Sequence, residues 1–446
     1  MGVLAGSPGT GKTWVTAQLV KTLLQRGIHP QRIAIGTPTG KAGVRFSEAL
    51  QEIGVKIKAV TWHSLLGIGE PDKVSGGWGF KHGKSNPWPY DVVIGDEISM
   101  VDLSLMRSVF DARPRGCHVL LVGDINQLSP VGAGAPLRDI IASGIVGYGE
   151  LTEIHRSSGG IVEACADIRD GRPWKEAENL KVTPAKNAPL DRIFESLEQA
   201  RKDELDRVWD CQVLVAVNDK SPVSRRIVNK KLQDALNPNT ANKGTPFRLA
   251  DKIVCLKNGR FTLVHKYGTS WVTVNTGGEY RRGYYDESDC FHFDDDGETL
   301  VDDSNRSYAA NGELARIIDI QPSTVLAELS SPKRIVRIPL GKASEDSEAG
   351  GAGCDWDLAY ALSVHKSQGS EWPRVVVVID EHAGAKRLCD RSWLYTAISR
   401  AKQLCELVGR KSTADAMCMK LAIKQRKTLL RQRLQLAYME RTMVEL

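Results

Sequence analysis

Eight residues near the start of the chain, Gly6-Ser7-Pro8-Gly9-Thr10-Gly11-Lys12-Thr13, constrain the fold more than any other feature. The spacing GxxxxGK[ST] needs one setting: a buried strand that stops abruptly, a glycine-rich turn, and a helix that starts at once. There the backbone N–H groups wrap a phosphate chain and the positive end of the helix faces it. Lys12 then neutralises β- and γ-phosphate charge, and the Thr13 hydroxyl is offered to Mg²⁺. Both flanks fit. Residues 3–5 are an apolar strand stub, and residues 13–26 carry Val15, Leu19 and Leu23 at helical spacing, with Gly27 placed to stop the helix. The motif points to a nucleotide and is silent about the task.

The next segments repeat the pattern. Residues 33–35, 91–94 and 118–122 are short apolar runs, each ending in a polar or glycine-rich turn. Strands alternating with helices imply a parallel sheet covered on both faces, whose ligands bind at the carboxyl ends of the strands. Asp96-Glu97 stands at such an end. A carboxylate there holds Mg²⁺, and its neighbour takes a proton from the attacking water. Asp-Glu pairs are common on surfaces; the apolar strand before this one is what makes it a partner of the P-loop. From about residue 150 the alternation restarts, with strands at 212–217, 374–379 and 404–409 and a helix at 221–236. Between 244 and 353 helix signals vanish, and short β-type runs (252–256, 271–274, 316–320, 324–329, 334–338) alternate with Gly and Asp turns, which predicts an inserted β-rich domain. Residues 344–353 resemble its exit linker.

A chain of 446 residues exceeds one hydrophobic core and fits two to four domains. Its net charge of +6 is unevenly placed. Residues 411–446 hold eight Lys/Arg against three Asp/Glu, and residues 286–303 hold nine Asp/Glu and no Lys or Arg. Nine scattered cysteines without a CxxC pair point to a reducing, intracellular compartment, cytoplasmic or nucleoid-associated, rather than a disulfide framework. No apolar run approaches the ~18–20 residues of a membrane span, so no membrane partner is expected.

The ordered motifs GSPGTGKT (6–13), TPTGKA (37–42), TWHSLLG (61–67), GDEISMVD (95–102), LLVGDINQLSPVGAG (120–134), LTEIHRS (151–157), YALSVHKSQGSEW (360–372) and LYTAISRAK (394–402) closely resemble those of superfamily 1 helicases. Within them the chain is similar to subgroup B, the RecD and Dda type, over residues 6–409. The resemblance implies an ATP-dependent DNA helicase that moves 5′ to 3′ on single-stranded DNA and unwinds duplex DNA. Its fold would be α/β, with two RecA-like P-loop lobes and ATP bound between them. The first lobe would cover 1–149, with a β-hairpin insertion at 68–90. The second would cover 150–243 and 354–446, with an SH3-like β-rich insertion at 244–353 and a basic C-terminal helix.

Carried over residue by residue, Gln127 would contact the γ-phosphate, Arg156 and Arg400 would act as arginine fingers, and Glu371 would hydrogen-bond the ribose. A finger suits the physics, because phosphoryl transfer needs charge stabilisation where charge develops. Pro38, Thr39, Thr61, His63, Ser363 and His365 would line a single-strand track, since hydroxyls and backbone amides position phosphates without reading sequence. His63 and His365 remain open between that role and a buried structural one. In the 68–90 insertion Trp78, Phe80, Trp88 and Tyr90 offer aromatic groups to a duplex wedge; Phe80 is the preferred tip, with Trp78 and Trp88 also readable as packing anchors. In the family a glutamine-bearing segment ahead of the P-loop grips the adenine; here the P-loop begins at Gly6, and that segment lies outside the sequence.

The acidic stretch 294–297 lacks EF-hand spacing and reads as a hairpin turn. Leu429, Leu430, Leu434 and Leu436 amid Lys and Arg give two readings of the tail: an amphipathic helix packed on the second lobe or a partner, or an additional phosphate-binding arm. Single-stranded DNA and a duplex fork are the expected partners, with replication or recombination proteins also compatible. Two rival functions share these motifs: an RNA-directed superfamily 1 helicase, and an ATP-binding subunit without autonomous unwinding.

Overall fold

The apolar runs of the first third of the chain become neighbouring strands of one sheet in the computed structural model, which describes all residues except 72–77, 155–158, 186–188, 240–244, 268–269, 274–282, 286–290, 294–305, 331–332, 342–353, 422–427 and 445–446. In chain order the elements are β1 (Gly2–Gly6), α1 (Lys12–Gln25), β2 (Ile33–Thr37), α2 (Gly40–Glu52), β3 (Ala59–Thr61), α3 (Trp62–Leu66), β4 (Ile68–Pro71), β5 (Trp78–Phe80), β6 (Val92–Gly95), α4 (Leu103–Asp111), β7 (His118–Gly123), α5 (Pro136–Ser143) and β8 (Gly147–Leu151). The sheet runs β3-β2-β6-β7-β1-β8, with every pairing parallel. Alternate side chains enter opposite cores. Ile33, Ile35, Val92 and Ile94 pack with Ala17 and Val20 of α1 and Phe46 and Leu50 of α2. Ala34, Val93, Val119 and Leu121 pack with Trp62, Val109, Leu137 and Ile140. Burial on both faces is what makes such strands read as unbroken apolar runs.

Two local details differ from the sequence reading or extend it. Helix α1 buries Thr16, Ala17 and Val20, and of the Val15-Leu19-Leu23 stripe Leu23 packs against the same core while Leu19 is 39% exposed. The slot beside a tightly packed sheet takes small residues, and Thr16 satisfies its hydroxyl on the Lys12 carbonyl at 2.7 Å. Gly27, with φ of 90°, does close the helix, as Ile28 N–H reaches back to the Leu23 carbonyl. Trp62 of TWHSLLG is fully buried over two glycines of adjacent strands: a Cβ on Gly36 or Gly95 would fall 2.4 Å or 2.7 Å from its ring. Helix α3 thus starts with a packing residue that fixes it on the sheet.

The chain divides into two compact units, Met1–Lys186 with Gln368–Leu446, and Asn187–Ser367. Residue 149, where the first lobe was expected to end, falls inside β8. The first unit continues with α6 (Gly160–Asp170) and β9 (Leu180–Thr183). The second unit holds α7 (Pro189–Lys202), β10 (Cys211–Val215), α8 (Arg225–Leu236), β11 (Lys252–Cys255), β12 (Gly259–Tyr267), β13 (Ser270–Thr273), β14 (Gly283–Tyr285), β15 (Phe291–Phe293), β16 (Arg306–Ala309), β17 (Leu314–Gln321), β18 (Thr324–Ser330), β19 (Lys333–Pro339), β20 (Trp356–Leu358) and β21 (Ala361–Ser363). β10 and β21 pair in parallel. The β-rich stretch forms an antiparallel sheet in the order β13-β12-β19-β18-β17-β11-β20, with β16 on β12. A register shift between Ile317 and Asp319 marks a bulge in β17. Of the acidic segment 286–303, only 291–293 belongs to the described residues; the turn at 296–297 and the linker 344–353 lie outside them.

The first unit resumes with β22 (Trp372–Val378), α9 (Ala383–Leu388), α10 (Arg391–Ile398), β23 (Ala401–Val408), α11 (Lys411–Met419) and α12 (Leu430–Val444). β22, β23 and β9 make a second parallel ladder. The parallel sheets are those of two RecA-like lobes, and the antiparallel sheet is the insertion in the second. The tail helix is a correction to the expected packing on the second lobe: α12 lies against α5 of the first sheet. Leu434 packs on that core, and Gln435 Nε2 donates to the Ser143 carbonyl at 3.2 Å. Leu429 and Leu436 are 62% and 57% exposed. Amphipathic spacing specifies a face, and the partner that covers it is a tertiary matter.

Candidate active site

The P-loop turns sharply from β1 into α1. Gly9 and Gly11 adopt φ of 83° and 79°, the left-handed region that glycine enters without a Cβ penalty. A Cβ on Gly6 would meet Thr10 Oγ1 at 2.6 Å and the Leu151 carbonyl at 2.9 Å, so that close approach also requires glycine. Thr10 is buried and its Oγ1 donates to the Ser7 carbonyl at 2.8 Å, which sets the curve of the Ser7-Pro8-Gly9 segment. Lys12 Nζ donates to the Gly6 and Ser7 carbonyls at 2.7 and 3.0 Å. The ammonium therefore sits at the mouth of the loop.

Thr13 Oγ1 lies 3.4 Å from Asp96 Oδ2, donating to it from a position 83 residues earlier in the chain. Both are hard oxygen donors. Mg²⁺ is ordinarily held by one or two carboxylates together with substrate phosphates, so this pair fits it. Asp96 is buried, and that burial, with the adjacent Glu97 charge, pushes its carboxyl up to about 7. Lys12 and Arg45 oppose the shift. Glu97 has φ of 52°, a strained conformation for a residue with a Cβ, and such strain concentrates at functional sites. Its backbone N–H donates to Asp96 Oδ1 at 2.9 Å.

A second carboxylate ends the neighbouring strand. Asp124 follows β7 as Asp96 follows β6, each after a glycine. It accepts from Tyr395 Oη and the Asn126 N–H, both at 2.9 Å, and from Gln127 Nε2 at 3.5 Å. Burial pushes its carboxyl above the usual range. Gln127 is buried, and its Oε1 has no partner among the described residues. Arg400 is buried as well, with Nε on the Thr396 carbonyl at 3.0 Å, Nη1 on the Ser370 carbonyl at 3.3 Å and Nη2 on Ser399 Oγ at 3.1 Å. Burial disfavours its charge, and Glu97, Glu371 and Asp124 favour it. Glu371 Oε1 is shared by Arg45 at 3.1 Å and Lys402 at 3.2 Å. Arg156 lies outside the described residues.

Several residues assigned to the single-strand track have hydroxyls already engaged. Thr39 caps α2 by accepting the Ala42 N–H at 3.3 Å, and Thr61 caps α3 by accepting the Ser64 N–H at 3.2 Å. Pro38 and Thr39 are half-buried and Thr61 is buried. His63 is exposed, with its ring 5.8 Å from Phe80, which excludes the buried structural reading for this histidine. In the second unit Ser363 ends β21 and accepts the Lys366 N–H at 3.4 Å, and His365 is half-buried. β4 and β5 form the expected small antiparallel hairpin. Trp88 is an anchor: it is buried, stacked on Trp62 with ring centroids 6.4 Å apart, and donates to the Leu65 carbonyl at 2.9 Å. Phe80 is 37% exposed.

Sequence reasoning missed Asp124, Tyr395, Arg45 and Lys402. For Asp124 a signal existed, because IleGlyAsp at 94–96 and ValGlyAsp at 122–124 both follow apolar runs. The other three are defined by contacts 31 to 326 residues away in the chain.

Residues 1–133 match the model of an AAA domain, and residues 358–408 that of the UvrD-like helicase C-terminal domain. The RecBCD enzyme subunit RecD of Mycolicibacterium smegmatis is 29% identical over 450 residues, covering 97% of this chain and 72% of that protein. The ATP-dependent RecD2 DNA helicase of Deinococcus radiodurans is 28% identical over 406 residues, 90% of this chain and 46% of its own length. Among solved structures, Pif1 helicase from Bacteroides in complex with ADP-AlF3 and ssDNA matches with a TM-score of 0.50 at 16% identity, covering 98% of this chain and 93% of that one. That likeness concerns the fold.

Proposed function

We propose that this chain, a RecD-like member of the superfamily 1B helicases, is an ATP-dependent DNA helicase that moves 5′ to 3′ along single-stranded DNA and opens the duplex ahead of it. The observation that carries the reading is the meeting of Thr13 with Asp96 beside Lys12, where the segments that follow β1 and β6 come together at the carboxyl end of the parallel sheet, in a chain that aligns with RecD over 97% of its length. Lys12 neutralises phosphate charge at the loop mouth, and the loop amides orient the triphosphate. Mg²⁺, held by Thr13 and Asp96, would supply charge neutralisation between the phosphates. Glu97 accepts the proton of the attacking water. Gln127, with an uncommitted buried oxygen, orients that water or the γ-phosphate. Arg400 and Arg156 stabilise the charge that develops on the transferring group. Glu371 takes the ribose.

Pro38, Thr39 and His63 in the first unit, and Ser363 and His365 in the second, contact the strand, with Thr61 holding α3 in place beside them. Phe80 faces the fork. An intracellular site of action is part of this proposal, because dispersed cysteines without a CxxC pair suit a reducing compartment; no helix among the described residues is long and apolar enough to cross a membrane. Turnover measured with no nucleic acid, with single-stranded DNA and with single-stranded RNA tests the reading. Stimulation by DNA is expected. Stimulation by RNA alone would make it an RNA-directed enzyme, and binding without turnover would make it a nucleotide-binding subunit.

A further inference from the structure

We propose that Arg45 is the positioning residue through which the strand-facing helix α2 acts on the hydrolytic site, an inference that rests on the helicase reading above. Arg45 stands one turn into α2, whose first residues follow Pro38 and Thr39 directly. Its guanidinium spans a short loop of the same unit. Nη2 pairs with Glu371 Oε1 at 3.1 Å, and Nη1 donates to the Gly369 carbonyl at 3.4 Å. Between those two residues lies Ser370, whose carbonyl accepts from Arg400 Nη1 at 3.3 Å. Lys41, also on α2, places its ammonium 5.7 Å from the centre of the Trp372 ring. One face of α2 therefore holds residues 369–372, and that loop in turn seats the finger Arg400 and the carboxylate Glu371.

The arrangement suits transmission. Thr39 caps α2, so a phosphate engaged at the helix start displaces the helix as a rod rather than fraying it. Gly369, with φ of 73°, gives the loop a pliant point next to the Arg45 bond. Moving Arg45 with α2 thus alters the seat of Arg400 through residues 369–371. A bidentate guanidinium holding a backbone carbonyl and a carboxylate together is a task that lysine performs only in part.

The test is the ratio of kcat with saturating oligothymidylate to kcat without it, in wild-type protein, Arg45→Ala and Arg45→Lys. Arg45→Ala is expected to cut the ratio about tenfold, the rate equivalent of one charge-assisted contact. Arg45→Lys, which retains the Glu371 pair but not the Gly369 bond, is expected to recover part of it. A wild-type ratio in both variants would overturn the inference and leave the helicase reading standing. The same holds if kcat falls by equal factors with and without DNA, the signature of a merely structural arginine. Should Arg45→Ala not fold, an unchanged ratio in Arg45→Lys alone overturns it. Absence of stimulation in the wild-type protein would overturn both readings together.

Discussion

The phenol of Tyr395 donates to Asp124 Oδ2 across 2.9 Å, joining residues 271 positions apart, and both are buried. The bond ties helix α10 to the end of β7, three residues before Gln127. Burial raises the Asp124 carboxyl, and the phenol partly offsets that by hydrogen-bonding the ionised form. Tyr395→Phe leaves a buried carboxylate short of a donor, which costs about 1–3 kcal/mol. A lower thermal midpoint, with kcat reduced more than ATP binding, is the expected result. A midpoint equal to wild type would show that the pair is incidental.

Asp96 gives the structure a pH signature. Its carboxyl is raised from 3.8 to about 7, so the folded state holds this proton more tightly than the unfolded chain does. The stabilisation is complete below the lower value and is lost as pH rises through the higher one. Thermal midpoints recorded between about pH 5 and pH 8 should therefore decline more steeply for wild type than for Asp96→Asn. Mg²⁺ with ADP should reverse the sign for the wild type, since a dication favours the ionised carboxylate. Parallel curves for the two proteins without nucleotide would contradict the assignment.

Glu97→Gln keeps the shape of the side chain but cannot accept a proton. The variant is expected to bind ATP with Mg²⁺ as wild type does, while turnover falls about 100-fold or more. Lys12→Ala should weaken binding as well, because it removes the ammonium at the loop mouth. Equilibrium binding of a fluorescent nucleotide, measured beside steady-state hydrolysis, separates the two. Near-normal turnover in Glu97→Gln would place the base elsewhere.

Much of this site was legible because parallel strands buried on both faces leave an apolar run ending in polar residues, which is how the P-loop and Asp96-Glu97 announce themselves, whereas Gln127 came only with the resemblance to superfamily 1 helicases. Pairings between distant segments leave no such trace: Arg45 with Glu371 and Asp124 with Tyr395 are products of packing. The same limit explains α12. Leu430 and Leu434 lie on one face of a helix, yet nothing in their spacing names α5 as what covers that face. Arg156 and the acidic segment around 294–303 lie outside the described residues, so their sequence-based roles stand as proposals.

Phe80 tests how movement becomes strand separation. Opening a fork means unstacking at ~1.4 kcal/mol for a mean step, and a base stacked on an aromatic ring recovers ~1–3 kcal/mol. Phe80 is 37% exposed on β5, whereas Trp88 is buried in the core. Phe80→Ala should retain DNA-stimulated hydrolysis while duplex unwinding falls several-fold, about the rate equivalent of one stacked base. Equal loss of both would make Phe80 a packing residue.

The central claim is directional unwinding driven by ATP. Strand displacement from duplexes bearing either a 5′ or a 3′ single-stranded tail, with ATP and Mg²⁺, tests it most directly. The account predicts displacement from the 5′-tailed duplex, none from the 3′-tailed one, and none with Glu97→Gln. Displacement only from the 3′-tailed duplex, or from neither while DNA still stimulates hydrolysis, would contradict it.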